Sequence, residues 1–157
     1  MLESLQFLIG PKGADGARAI VDASSGARLG FAIWREGGGP WWWPTAPVLA
    51  VHEDEDAPLV FTVQRRWNWP PRREVRDAEG NRIGELIGDW IRDEYARRVA
   101  TRVCAGGQTL LINRERKVLA RYRVDSKGLH FAFATEETEG DPFQKMLLLA
   151  AGLIDGT

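Results

Sequence analysis

The sequence has one cysteine, Cys104, and only two histidines, His52 and His130. A lone cysteine cannot form an internal disulfide, which excludes the disulfide frameworks of small secreted domains. The two histidines are far apart in the chain, and no cluster of His and Cys has the spacing of a zinc site. We therefore expect neither a metal centre nor a cofactor, and we interpret Cys104 as a small buried apolar residue.

The chain also lacks an excess of charge of one sign and any long apolar run. Lys and Arg number 21 against 22 Asp and Glu, so the formal net charge is -1. General nucleic-acid binders carry a strong basic field, so no nucleic-acid partner is expected. The longest apolar run, 146–154, is far shorter than the ~20 residues of a membrane-spanning helix, and no secretory signal is visible. We expect a cytoplasmic protein without a transmembrane span.

Signatures of catalysis are missing too. Neither histidine belongs to a recognisable triad, no Gly-x-Ser-x-Gly elbow occurs, and the glycines at 37–39 are not followed by the Lys-Ser/Thr of a phosphate loop. The protein is therefore predicted not to be an enzyme. An enzyme acting in a pocket at one end of the fold is a weaker alternative.

The chain is rich in short alternations of apolar and polar residues, which Gly, Asp, Asn and Pro separate from one another. This pattern is typical of β-strands, and 157 residues fit a single domain spanning 1–157. The predicted strands are Leu5–Ile9, Ala17–Val21, Leu29–Trp34, Val48–His52, Leu59–Gln64, Arg73–Arg76, Arg82–Ile87, Arg97–Cys104, Gln108–Ile112, Val118–Val124 and Leu129–Ala134. Residues 88–98 are predicted to begin as a short helix, and the stretch around Trp41–Trp43 to supply a twelfth strand.

A near-repeat occurs in the segments 19–30, 74–84 and 110–120. Each reads as a strand, then an Asx residue (Asp22, Asp77 or Asn113), a tight turn, and an apolar residue followed by a small one. Asp and Asn side chains bond their own downstream backbone in turns, so each segment is predicted to be a β-hairpin. Residues 122–131 form a fourth, shorter version. Calcium binding is the alternative, but the twelve-residue calcium loop is missing.

The C-terminal segment differs from the rest because it is apolar on every helical face. Asp141 is a good N-cap, Pro142 fits the first helical position, and Phe143–Ile154 is predicted to be helical. A helix that is apolar all round must be buried, and this one is too short for a membrane. The predicted fold is therefore mostly β: a closed antiparallel barrel of about twelve strands wrapped around a buried apolar C-terminal helix.

These hairpins, the strand Pro58–Val63 and the terminal helix together resemble the tubby C-terminal-like superfamily, and within it the phospholipid scramblase-related and LURP-one-related proteins. The resemblance covers nearly the whole chain and implies a twelve-stranded barrel around a central helix. It also implies binding at membrane surfaces, since tubby domains bind phosphoinositide head groups. The cysteine cluster that receives fatty acids in scramblases has no counterpart beside Cys104, so lipid scrambling is not expected.

Residues 64–73 place four arginines and two tryptophans in a loop at one end of the predicted barrel. Arginine offers a planar fork suited to phosphate, and tryptophan favours the boundary between water and lipid. The predicted ligand-binding residues are Arg65, Arg66, Trp67, Trp69, Arg72 and Arg73. In the alternative interpretation, the tryptophans cover the barrel end and the arginines pair with the acidic residues 53–56.

Three consecutive tryptophans, Trp41, Trp42 and Trp43, are the second unusual feature. Neighbouring strand residues point to opposite faces, so they cannot all enter one core in an extended chain. They are predicted to be an interface for a protein partner or a membrane, or else a lid over the barrel end.

The function predicted from these features is that of a non-enzymatic tubby-like module, which binds an anionic ligand such as a phospholipid head group at a membrane surface. The expected partners are an anionic phospholipid or another phosphate-bearing ligand, and the expected location is the cytoplasm and the inner membrane surface. The alternative is a protein-protein interaction module that uses the Trp41–Trp43 patch and has no lipid role. Only 4 of the 21 basic residues are lysines, a bias that fits a GC-rich bacterial genome.

Overall fold

The fold is a closed antiparallel barrel of twelve strands, followed by one α-helix. The structure is a computed structural model that describes residues 2–37, 46–53, 58–67, 69–134 and 141–156. The strands are β1 (Gln6–Ile9), β2 (Ala17–Asp22), β3 (Arg28–Arg35), β4 (Val48–His52), β5 (Leu59–Arg66), β6 (Arg72–Asp77), β7 (Arg82–Ile87), β8 (Trp90–Asp93), β9 (Arg98–Ala105), β10 (Gln108–Ile112), β11 (Val118–Asp125) and β12 (Gly128–Phe133). The helix α1 is Pro142–Asp155.

Each strand pairs with the next one along the chain, and β12 closes the barrel by pairing with β1. The connections therefore alternate between the two ends of the barrel. Closure leaves every strand with two neighbours, so no edge is left open for pairing with another chain. The eleven predicted strands all occur, with bounds within one or two residues of those expected.

The twelfth strand is β8, which the sequence analysis assigned to a short helix within 88–98. This prediction was wrong because β8 pairs on both sides, Ile91 lying opposite Leu86 of β7 and Ala100 of β9. A four-residue strand offers too few alternations to outweigh the helical spacing of its apolar residues. The stretch around Trp41–Trp43, which the sequence analysis expected to supply the twelfth strand, lies outside the described residues.

The predicted hairpins at Asp22, Asp77 and Asn113 are confirmed. Each side chain accepts hydrogen bonds from downstream backbone N–H groups, for example Asp77 Oδ1 from Asn81 at 2.7 Å and Asn113 Oδ1 from Glu115 at 2.9 Å. Asp93 begins another such turn. It was not predicted because residues 88–98 were expected to begin as a short helix. The shorter hairpin is confirmed as well, since Asp125 Oδ1 accepts from the backbone of Lys127.

The helix begins and ends within one residue of the predicted bounds. Asp141 is its N-cap and accepts from the backbone N–H groups of Phe143 and Gln144 at 3.0 and 3.1 Å. Leu147 to Ile154 are buried, whereas Phe143 in the first turn is 48% exposed. The helix contacts strands from two separate parts of the barrel wall, β6–β8 and β11–β12. No helix in the described part of the chain is long and apolar enough to cross a bilayer.

The two ends of the barrel differ in the helix terminus that they surround. At one end, Phe143 and Asp141 share a cavity with Asp77 and Asp93. At the other end, Asp155 and Gly156 contact arginines of β9 and β2, namely Arg102 and Arg18. We call the second end the arginine end.

Candidate functional site

Arginines continue the interior faces of three strands at the arginine end. Side chains alternate along a strand, so Arg65 shares a face with the buried Val63, Arg73 with the buried Val75, and Arg102 with the buried Ala100. Arg65 lies directly opposite Arg73 in the β5–β6 pair. The strands therefore carry these three guanidinium groups into the mouth of the barrel.

The three arginines line one cavity of about 370 Å³. Its other lining residues include Pro71, Arg72, Leu86 and Asp89. The lining thus includes four arginines and one aspartate, and the cavity is large enough for a small ligand.

Asp155 of α1 lies behind this cavity and forms an ion pair with Arg102. Arg102 Nε is 3.0 Å from Asp155 Oδ2, but its N–H does not point at the carboxylate well enough to make a hydrogen bond. The Tyr122 hydroxyl donates a hydrogen bond to the same carboxylate oxygen. Burial and this hydrogen bond raise the pKa of Tyr122, so the phenol stays a donor at neutral pH.

Arg65 and Arg73 have no carboxylate within 4 Å among the described residues. Burial lowers the pKa of Arg73; Asp155 opposes this effect, while the charges of Arg102 and Arg65 add to it. A guanidinium stays protonated in proteins under such shifts. The lowered pKa of Arg73 is thus mainly an effect of partial burial, and the smaller contributions show that Asp155, Arg102 and Arg65 all lie close to it.

Arg66 and Arg72 differ from Arg65 and Arg73 because each lies beside a carboxylate, although Arg72 also lines the cavity. Arg66 donates hydrogen bonds from two of its nitrogens to the Glu74 carboxylate, at 3.2 and 3.0 Å, and Arg76 donates to the same carboxylate. Arg72 lies 3.6 Å from Glu85, which is 5% exposed. The alternative interpretation had paired these arginines with residues 53–56, of which 54–56 lie outside the described residues; the carboxylates that they contact are Glu74 and Glu85.

The two tryptophans of the β5–β6 connection are the most exposed large apolar side chains of the described chain. Trp67 is 77% exposed and Trp69 is 93% exposed. The Arg65 guanidinium lies 5.2 Å from the centre of the Trp67 ring, within the range of a cation–π contact. Both rings face solvent, so they do not cover the barrel core.

Sequence reasoning missed Arg102 and Arg18. Arg18 is 8% exposed and donates to the carbonyl oxygens of Gly10 at 2.9 Å and Gly156 at 2.6 Å, so it caps the end of the helix. The alternation of the predicted strands places both arginines on the same strand face as apolar residues. It therefore indicates that both point toward the interior of the barrel. That signal becomes visible only once one face is known to be the interior.

Two further expectations concern Cys104 and the tryptophan run. Cys104 is exposed, not buried as predicted, because β9 extends past the core at the arginine end. Trp41, Trp42 and Trp43 lie outside the described residues, so their predicted interface stays a prediction. Among the residues that the structure does describe, no group of three or more His, Cys, Asp or Glu could hold a metal ion.

Comparison of the chain with protein-family models, curated proteins and solved structures found no match. The resemblance to tubby-like and scramblase-related proteins therefore depends only on the hairpin repeats, the strand Pro58–Val63 and the terminal helix.

Proposed function

We propose that this protein is a non-enzymatic module that binds an anionic ligand, such as a phospholipid head group, at a membrane surface through the arginine end of a tubby-like barrel wrapped around its terminal helix. The observation that carries this proposal is the juxtaposition of Arg65 and Arg73, unpaired within the described chain, with the exposed Trp67 and Trp69.

This combination of side chains has a physical use at an anionic membrane. Guanidinium groups form charge-assisted hydrogen bonds with phosphate oxygens, and indole rings favour the level of the head groups. Exposed apolar rings on a folded protein have an energetic reason to leave water. The pairing of Arg66 and Arg72 with Glu74 and Glu85 makes them weaker contributors than Arg65 and Arg73.

The test measures tryptophan fluorescence against vesicles of graded phosphatidylglycerol content at low and physiological salt. We expect a blue shift that grows with anionic lipid and weakens with salt. Arg65→Glu should abolish the shift, because it reverses a charge beside Trp67. Arg114→Glu, an equal change in the β10–β11 turn at the opposite end, serves as the matched control and should leave the shift intact. No shift with any vesicle would overturn the proposal and favour the protein-partner alternative.

A further inference from the structure

We infer that the cavity between Arg65, Arg73 and Arg102 binds the terminal dianion of a phosphate monoester, and that Asp155 is a built-in carboxylate that weakens this binding. The inference rests on the proposed function and assigns a ligand class to the same end of the barrel. It places the ligand inside the barrel mouth, whereas the proposal above requires only an attractive surface.

The charge of the cavity calls for more than a single negative charge. Arg65 and Arg73 have no carboxylate within 4 Å among the described residues, whereas Arg72 lies beside Glu85 and Arg102 beside Asp155. A phosphate monoester carries between one and a half and two negative charges near neutral pH and offers three terminal oxygens. A phosphodiester carries one charge and offers only two such oxygens, so three converging guanidinium groups suit the monoester better.

The size of the cavity is compatible with a terminal phosphate group. Residues of β5–β7 and β9 line it, and Asp155 at the end of the helix lies behind it. The volume of about 370 Å³ leaves room for the phosphate and for a small group attached to it.

The helix terminus does not use Arg65 or Arg73. A helix C-terminus carries a partial negative charge, which would attract nearby guanidinium groups. Arg18 already satisfies that end by donating to the Gly156 carbonyl at 2.6 Å. Arg65 and Arg73 therefore remain available to a ligand.

Asp155 competes with the ligand for Arg102. Its carboxylate is 3.0 Å from Arg102 Nε, and the N–H group is poorly aimed at it. Arg102 therefore keeps unused hydrogen-bonding capacity. A dianion in the cavity gains Arg102 as a third partner, but the negative charge of Asp155 opposes it. Removal of that charge should strengthen binding, an effect that general damage to the fold would not produce.

The experiment titrates the full chain with inorganic phosphate and with glycerol 3-phosphate by isothermal titration calorimetry. We expect saturable binding, a loss of at least tenfold in affinity for Arg73→Gln and Arg102→Gln, and a gain of severalfold for Asp155→Asn. The asparagine retains an oxygen acceptor for Tyr122. Arg114→Gln is the matched control and should bind as the unmodified chain does. Should Arg102→Gln fail to fold, Arg73→Lys tests the same point, because it keeps the charge and removes the planar fork.

A vesicle arm separates the two sources of a phosphate monoester. Vesicles containing phosphatidic acid present a monoester, and phosphatidylglycerol vesicles of matched surface charge present only diesters. If the protein prefers phosphatidic acid and Arg102→Gln loses that preference, the ligand is a lipid head group. If the protein binds glycerol 3-phosphate but does not prefer phosphatidic acid, the ligand is a soluble monoester. The inference is overturned if phosphate does not bind saturably. It is also overturned if Arg73→Gln and Asp155→Asn bind phosphate with the same affinity as the unmodified chain. If neither phosphate nor glycerol 3-phosphate binds saturably while vesicle binding persists with no preference between the two lipids, this inference fails and the proposed function stands.

Discussion

At the scale of single residues, the interior of the barrel depends on small side chains where the helix approaches the wall. Gly84 of β7 follows the apolar Ile83, and Ala100 and Ala120 occupy the corresponding places in β9 and β11. A Cβ atom added at Gly84 would overlap the carbonyl oxygen of Arg92 and lie 2.7 Å from Leu147 of the helix. The small residue that ends two of the predicted hairpin repeats, Gly30 and Gly84, therefore makes room for the neighbouring strand, and Gly84 also makes room for α1.

Gly84→Ala is expected to destabilise the protein by about 1–3 kcal/mol, because overpacking forces the backbone or the helix to shift. Gly10→Ala is the matched control, since a Cβ there would meet only the Ala19 carbonyl oxygen at 3.8 Å. Urea unfolding of both variants gives the comparison. Equal stability of the two would show that the helix does not approach β7 as closely as described.

At the scale of elements, one type of hairpin recurs around the barrel. In the turns that begin at Asp77, Asp93 and Asn113, the fourth residue has a positive φ: Gly80 at 85°, Ala96 at 61° and Arg116 at 64°. The register of each strand pair shifts beside the turn. The Asx side chain and the backbone geometry therefore define the turn, and glycine is present in only one of these three.

Ala96→Gly is expected to raise the free energy of unfolding by about 0.5–1 kcal/mol. A residue with a Cβ in the left-handed region costs roughly 1–2 kcal/mol, which exceeds the entropy that glycine adds to the unfolded chain. Ala78→Gly, in the β6–β7 turn at a position without a positive φ, should instead lower stability by about 0.4–1 kcal/mol. Chemical denaturation of the two variants tests whether their free energies of unfolding change in opposite directions. A loss of stability in Ala96→Gly would show that the backbone of this turn is not strained at Ala96.

At the scale of the whole molecule, the charges of the barrel interior oppose the dipole of the helix. Asp77 and Asp93 lie near the helix start, and Arg18 and Arg102 contact its last residues. The first turn of the helix has no acidic residue of its own and the last turn no basic one. At the C-terminal end the wall supplies the complementary charge instead, which stabilises a helix that is otherwise almost entirely apolar. The same arrangement concentrates positive charge at the arginine end.

The stability of the whole barrel is expected to fall in acid. Hydrogen bonds from Ser24 and Ser25 hold the pKa of Asp22 well below its usual range. Burial raises the pKa of Glu74, but Arg66 and Arg76 outweigh it, so the net shift is downward. A carboxyl group whose pKa is lower in the folded state takes up a proton on unfolding. Its stabilising contribution is therefore complete above its unfolded pKa of about 4 and is lost as the pH falls through the folded value.

Urea unfolding between pH 3 and pH 7 measures this effect. The free energy of unfolding should decline below about pH 4, and Glu74→Gln should make the decline shallower while lowering stability at pH 7. Glu79→Gln, in an exposed turn and without an ion pair in the described chain, is the matched control and should follow the unmodified protein. A Glu74→Gln profile parallel to that of the control would show that the Arg66–Glu74–Arg76 contact does not stabilise the fold.

The local pattern of the sequence determined most of the elements: eleven strands, the Asx turns and the capped terminal helix. These features depend on neighbours in the chain, such as the Asp141 cap or the alternation in β5. Strand β8 was missed because four residues beside Gly88 carry too little alternation, and its two pairing partners define it instead.

Only the tertiary structure decided which arginines face the cavity. Arg65 and Arg66 are adjacent in sequence, yet one lines the barrel mouth and the other grips Glu74 on the outer wall. Arg102, Asp155 and Tyr122 come from β9, α1 and β11 and meet only when the barrel closes around the end of the helix. The physical reason is that a strand has two faces, and register and closure, which no single segment encodes, determine which of them becomes the interior.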